Sequence, residues 1–395
     1  MKNNGYELLA PAGDFSMLSA AVKAGANAIY FGLKEFSMRD NAKNFSIEDL
    51  KKINEICGKE VKKYLTLNVI VYEEEISKIE EILKKVRGKI DAIICWDLSV
   101  INLCRKLKIP FHVSTQASVS NSESAKFYKS LGAQRVVLAR ELSLEQVKKI
   151  SKIIPVECFI HGAMCVAVSG RCFMSQELFK RSANRGMCAQ VCRRSYKITD
   201  EEGKELRINR NTVMSAKDLC TLPFFDKLKD AGIVSFKIEG RNRDARYVDT
   251  VVRVYRKALD KNLTKEEINE GIKELEKVYN RGFSSGFYLG VPTNDDFSKV
   301  ENSAATTKKQ FIGKVTHYYP KAGVGTIFIS TGGISVGDEI NIIGNTTGIE
   351  KIKIKRLEIK NKSVKKAFKG DEVGIKLPRV RENDDVYLIK ETNSI

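Results

Sequence analysis

Eight short apolar runs, each followed by a stretch of helical period, constrain this chain more than any other feature. The runs are Glu7–Ala10, Ala28–Phe31, Leu65–Val71, Ala92–Trp96, Phe111–Thr115, Arg135–Ala139, Val156–Ile160 and Ser235–Ile238. Most are apolar at consecutive rather than alternate residues. A sheet built from them must be covered on both faces, as a parallel sheet under helices is. Between the runs, stretches such as DFSMLSAAVKAGA, SIEDLKKINEICGK and SLEQVKKISKI place apolar residues at helical spacing. Asp14, Ser46 and Ser143 stand where N-caps belong, and the glycines of AGA, LGA and AGI stand where helices stop. Eight such alternations in about 300 residues predict an α/β fold, a (β/α)8 TIM-like barrel. A doubly wound open sheet is the alternative, because counting strands does not prove closure.

The alternation fails after the seventh run. No helix is predicted until about Ser215, a gap of about fifty residues, and a loop of that length inside a compact domain is usually functional. The interval, about 162–214, reads as a Cys-rich insertion ending in a hairpin over Tyr196–Ile208 that turns at Asp200–Gly203. After the eighth run, helices over Asp244–Asp260 and Lys265–Val278 complete a barrel domain assigned to 1–282. A Gly- and aromatic-rich linker or strap follows at 283–307. Residues 308–395 then alternate in FIGKVTHYY, VGTIFIS, EINIIG, KIKIKRLEI, EVGIKL and DVYLIK, the pattern of a small C-terminal antiparallel β-barrel.

No apolar run approaches the roughly 18 residues that span a bilayer. The N-terminus lacks the layout of a signal peptide, so a soluble, cytoplasmic protein with no membrane association is expected. In a reducing compartment, clustered thiols point to a metal or to catalysis rather than to disulfides. Of nine cysteines, five lie between Glu157 and Cys192, and Cys165, Cys172, Cys188 and Cys192 follow the spacing C-x6-C-x15-C-x3-C. Four thiolates suit a tetrahedral zinc or an iron–sulfur cluster. Structural zinc sites favour two close knuckles, and only the second pair is close here, so the spacing leans toward iron–sulfur. Cys220 in SAKDLC, read as the start of a helix, is an alternative fourth ligand to Cys192. Cys57, Cys95 and Cys104 read as small buried hydrophobes.

In a barrel the loops after the strands carry function. Here they hold Asp14, Arg39, Asn41, Asp97, Gln116, Arg140, His161 and Glu239-Gly240-Arg241. His161, Glu239 and Arg241 are the candidate catalytic residues. Arg241 can take a carboxylate or phosphate bidentately, and Arg39, Arg140 and Arg171 can extend such an anion site. The formal net charge of +19 suits a polyanion such as RNA, although solvated lysine-rich helix faces produce the same number.

Across ECFIHGAMCVAVSGRCFMS the chain resembles the peptidase U32 family, whose signature is E-x-F-x2-G-[SA]-[LIVM]-C-x4-G-x-C-x-[LIVM]-S. Glu157, Phe159, Gly162, Ala163, Met164, Cys165, Gly170, Cys172, Met174 and Ser175 fill every fixed position. ELLAPAGDFSMLSAAVKAGANAIYFG, MCAQVCRRSY and SFKIEGRNRDARYVDTVVRVYRKALD share the family's look, and the C-terminal segment is similar to domain two of translation GTPases. The family name implies a peptidase, with collagenases among its members. Its better-characterised relatives imply hydroxylation of RNA, with a tRNA wobble uridine or a cytidine of large-subunit ribosomal RNA as target and prephenate as hydroxyl source. Other members imply a 4Fe–4S accessory scaffold that pairs with a U32 paralogue. By position, the resemblance implies that Cys165, Cys172, Cys188 and Cys192 hold a 4Fe–4S cluster and that the partner is the anticodon loop of tRNA. Members with a more distant fourth ligand keep Cys220 open.

Overall fold

A computed structural model describes residues 5–39, 42–194, 198–206, 214–300 and 302–392. Eight parallel strands run in order: β1 (Glu7–Ala12), β2 (Ala28–Gly32), β3 (Lys62–Leu67), β4 (Ala92–Cys95), β5 (Phe111–Val113), β6 (Arg135–Val137), β7 (Val156–Gly162) and β8 (Ile233–Ile238). Each pairs with the next, and β8 also pairs with β1, which closes the barrel and excludes the open sheet.

Alternation within the strands builds two distinct layers. Leu8, Ala10, Ile29 and Phe31 join the helices in the main core, while Leu9, Ala28, Tyr30, Tyr64, Ala92 and Ile94 form a separate small cluster inside the barrel. Fully buried rings such as Phe31, Phe45 and Phe236 carry much of the outer layer, each contributing about 1.5–3 kcal/mol on burial. The rest of the barrel interior is ionic. Glu157 is fully buried and bonds Lys237 at 2.7 Å and Arg135 at 3.1 Å; Arg135 also pairs with Glu7, which accepts from Tyr64 Oη at 2.6 Å. Two carboxylates balance two cations, so the layer is neutral, and removing one member would cost about 3–5 kcal/mol.

Asp14 and Ser143 cap their helices as expected, accepting from the N–H groups of Met17 and Gln146. Ser46 does not: the helix starts at Leu50, and Asp49 instead accepts from the Ser46 N–H at 2.8 Å. The third strand also starts and ends earlier than its apolar run, at Lys62 and Leu67, which frees Asn68 to turn inward at the barrel mouth. SAKDLC does not open a helix. Asp218–Cys220 is a short strand, antiparallel to the end of β7, with Cys220 opposite His161 and Leu219 opposite Gly162. Of the predicted hairpin, Ile198–Thr199 pairs with Glu205–Leu206; its remaining residues at 196–197 and 207–208, like Asn41, lie outside the described residues.

Phe283–Ser284 pairs with Asp218–Cys220, and Tyr288 is buried with its hydroxyl on the Phe159 carbonyl at 2.8 Å, so this part of 283–307 is strapped to the barrel. The C-terminal residues form an eight-stranded antiparallel sheet and a two-stranded ribbon around one core that includes Ile312, Ile327, Ile340, Leu357, Val373 and Val386. This unit rests on the helices Phe15–Ala24 and Ala245–Asp260. Ser19 donates to the Asn345 carbonyl at 2.6 Å, and Lys351 reaches the buried Asp249 at 2.9 Å.

Candidate functional site

At the carboxyl end of the barrel the strand termini and the insertion after β7 enclose a cavity of about 160 Å³. Its floor includes Tyr30, Thr66, Ile94, Phe159 and Lys237; its rim includes Cys165, Cys172, Cys188 and Cys192. The insertion has little regular structure beyond a helix at Met174–Phe179, so side chains hold its shape. Asn184 accepts from Cys172 N at 2.8 Å, and the fully buried Ser175 accepts from Ala189 N at 3.0 Å, tying the two cysteine pairs together. Arg185 forks onto Glu75 and lies over Tyr72, Arg171 lies over Trp96, and Arg193 donates to the Met164 carbonyl at 2.8 Å. Arg185 and Arg171 pin the insertion to the barrel loops, and Arg193 ties the two ends of the insertion together.

Two signature glycines permit the close approach. Gly162 has φ +105°, and a Cβ there would lie 2.5 Å from the Glu239 carbonyl oxygen. At Gly170, with φ +80°, it would lie 2.8 Å from Gln116 Cγ. Any other residue would be strained at both and would push the insertion off the mouth.

The cavity wall is strongly cationic. Arg39, Arg140, Arg193, Lys237, Arg241 and Arg243 line it against the single carboxylate Glu239. Arg39 holds Glu239 at 3.0 Å, and Tyr30 Oη donates to the Ile238 carbonyl while lying 3.3 Å from the Glu239 carboxylate. Burial alone would raise the Glu239 pKa, but the charges of Arg39 and Arg140 outweigh it and hold the carboxyl at about 2. Arg241 donates to Thr66 Oγ1 at 2.7 Å, while its Nε and Nη2 are buried with no hydrogen-bond partner among the described residues. Arg140 packs its guanidinium 3.9 Å from the Phe159 ring centre and donates to the Ala163 carbonyl, and its Nε is orphaned too. Burial pulls both guanidinium pKa values down, that of Arg241 to about 10. Buried donors without acceptors are rare, and here four of them sit on three arginines of one cavity wall, Arg193 Nη1 being the fourth.

The four insertion cysteines all line this cavity. Cys165 is exposed and the other three half-buried; the Cys192 thiol pKa is raised by burial, with further contributions from Cys165, Cys188 and Cys172. The donor set is all thiol, and Cys188 Sγ already accepts from the Gln190 N–H at 3.4 Å. Among the described residues no three His, Cys, Asp or Glu side chains converge tightly enough for a single ion. Four thiols are the donor type that an iron–sulfur cluster or a tetrahedral zinc takes. Cys220 is elsewhere: it is buried 3.7 Å from Tyr255 Oη and does not line the cavity, and burial pushes its thiol up to about 11.

Glu239 and Arg241 stand in the cavity wall; His161 does not. Strict alternation would turn His161 inward with Glu157 and Phe159. The β7–β8 register slips between Phe159↔Lys237 and His161↔Ile238, and the extra residue turns the ring outward. There it packs against Tyr247, Tyr255 and Phe283, and burial lowers its pKa to about 3, leaving it neutral. Its expected place among the catalytic groups loses geometric support. Sequence reasoning missed Tyr30, Thr66, Asn68, Lys237 and Arg193 as cavity residues. Lys237 alone left a signal, a lysine in the middle of the apolar run SFKI.

Residues 13–298 match Peptidase family U32. The chain is 40% identical to a collagenase of Porphyromonas gingivalis, over 98% of both chains. It is 42% identical to an uncharacterized protease of Methanocaldococcus jannaschii, again over 98% of both. It is 37% identical to tRNA hydroxylation protein P1 of Bacillus subtilis, over 79% of this chain and 77% of that one. With its signature residues at the mouth of a closed barrel and a family match across most of its length, this chain belongs to peptidase family U32.

Proposed function

We propose that this protein is an RNA-modifying enzyme that converts a tRNA wobble uridine to 5-hydroxyuridine, with prephenate as hydroxyl source and a 4Fe–4S cluster on Cys165, Cys172, Cys188 and Cys192. The observation that carries the reading is the cavity wall itself: orphaned donors on Arg140 and Arg241 stand beside a rim of four thiols. Prephenate is a dicarboxylate, and paired guanidinium groups with unused N–H donors are what such a ligand needs. Hydroxylation of tRNA in a relative of this family supports the RNA substrate.

Each residue then has a stated task. Arg241 and Arg140 bind the carboxylates. Glu239 stays ionised, bonded to Arg39, and keeps that guanidinium oriented toward the cavity. Asn68 and Gln116, whose amides bond each other and Ser114, form a polar wall for the edge of a pyrimidine drawn out of a flexible loop, where little stacking must be broken. A bound cluster, held by all four thiolates, would supply one-electron chemistry. Phe159, Met164 and Val191 keep water from the reacting atoms.

The collagenase reading has its own support in the name of the Porphyromonas relative. It lacks a histidine base: His112 lies inside the barrel against Tyr64, His161 faces the helices, and His317 is in the C-terminal unit, so none of the three lines the cavity. Mass spectrometry of tRNA nucleosides from a deletion strain tests the proposal. Loss of 5-hydroxyuridine derivatives supports it, and an unchanged nucleoside profile in a strain without a second copy rejects it.

A further inference from the structure

The insertion exposes more apolar surface than its size requires. Val166, Val168, Phe173, Leu178 and Phe179 are five of the large hydrophobic side chains exposed among the described residues, and all fall within one short segment. Phe173 is 74% exposed, immediately after the cavity residue Cys172 and two positions before the buried Ser175. Phe179, at the end of the same helix, is 40% exposed and carries the Arg194 guanidinium 4.5 Å from its ring centre. Around them the exposed charges are Arg171, Lys180, Arg181 and Arg194 against Glu177 alone.

We infer that this rim is a stacking platform for single-stranded RNA, on which the nucleotides flanking the target base lie while the base enters the cavity. The inference rests on the RNA-modifying reading above and adds the residues that hold the substrate strand. Exposed rings next to an excess of positive charge suit nucleic acid, because bases stack on the rings and phosphates meet the cations. An arginine already lying over a phenylalanine presents a flat cationic face on which a further base can stack. Two other arginine–aromatic pairs on the insertion differ: Arg185 is committed to Glu75, and Arg171 donates to the Gln116 carbonyl. They fasten the insertion, whereas Phe173 and the Arg194–Phe179 pair face outward.

The test uses the full-length, cluster-loaded protein and a fluorescent RNA hairpin with a uridine-containing single-stranded loop, followed by anisotropy at several salt concentrations. Phe173→Ala and Phe179→Ala should each weaken hairpin binding by about tenfold, as expected for loss of one stacked base. Phe173→Tyr should bind as the parent does, and binding of a blunt RNA duplex should be unchanged in all variants. The salt dependence should keep its slope, because no phosphate contact is removed. Because Phe173 is solvent-exposed, thermal melts of the variants should overlay the parent's. Parent-like hairpin affinity in both alanine variants, an equal loss for duplex and hairpin, or no hairpin binding by the parent would each overturn the platform. So would variants that keep RNA affinity but lose capture of a protein electron donor. Failure of the hydroxylase reading is separate: it would appear as phenylalanine-dependent hairpin binding with an unchanged tRNA nucleoside profile in the deletion strain.

Discussion

Replacing Arg241 by methionine should separate the stability of the fold from its capacity to bind an anion. The guanidinium is 3% exposed and makes one good bond, to Thr66, while Nε and Nη2 have no partner. Each orphaned donor costs about 1–3 kcal/mol, and the Thr66 bond returns about 1.5–3 kcal/mol as a charged hydrogen bond. Arg39 and Arg140 add like charge nearby, against one carboxylate. A methionine of similar length removes the orphaned donors and one of the three clustered charges. The ligand-free variant should therefore be more stable than the parent by about 1–3 kcal/mol, in line with apolar replacement of buried ions elsewhere, and melt a few degrees higher. Prephenate at about a hundredfold excess over its Kd should stabilise the parent by about 2.7 kcal/mol and the variant hardly at all. Calorimetric melts with and without prephenate read both effects. A variant several degrees less stable than the parent, or one stabilised equally by prephenate, would refute the argument and make Arg241 a structural group.

Other perturbations address neighbouring parts of the site. Glu239→Gln should destabilise the protein near neutral pH, because it leaves Arg39 and its neighbours without a counter-charge. The folded pKa of Glu239 is depressed to about 2 from an ordinary value near 4.5, so its contribution is present above that ordinary value and fades as pH falls through about 2. Urea titrations should show a deficit on the order of 3 kcal/mol at pH 6 that shrinks steadily below pH 4.5 or so; a pH-independent deficit would contradict the assignment. After anaerobic purification, Cys192→Ser should lose the broad absorption near 400 nm or so expected of an iron–sulfur centre. Cys220→Ser should retain iron and sulfide at the cost of about 1 kcal/mol in packing; the opposite pattern would exchange their roles. His161→Phe should keep tRNA hydroxylation in cells and shift the melting temperature by only a few degrees, whereas loss of modification with an intact fold would return His161 to the chemistry.

The chain itself determined the barrel, because strands buried on both faces and separated by capped amphipathic helices have few other ways to bury their surface. It also singled out four cysteines of the insertion as a group, because clustered thiols and glycines on a long loop point to a site, and all four line the cavity. Side-chain direction at the site was decided only in three dimensions. One register slip near the end of β7 turned His161 from the mouth to the helices, and strand pairing carried Cys220 to the wrong side of that strand to join the other thiols. Both depend on which residue lies opposite which across a sheet, a non-local pairing that local periodicity does not encode. The unsatisfied donors of Arg140 and Arg241 are likewise a tertiary fact. A sequence shows that arginines follow strands, but only the closed barrel shows that their N–H groups converge on a cavity with one carboxylate among the groups that line it.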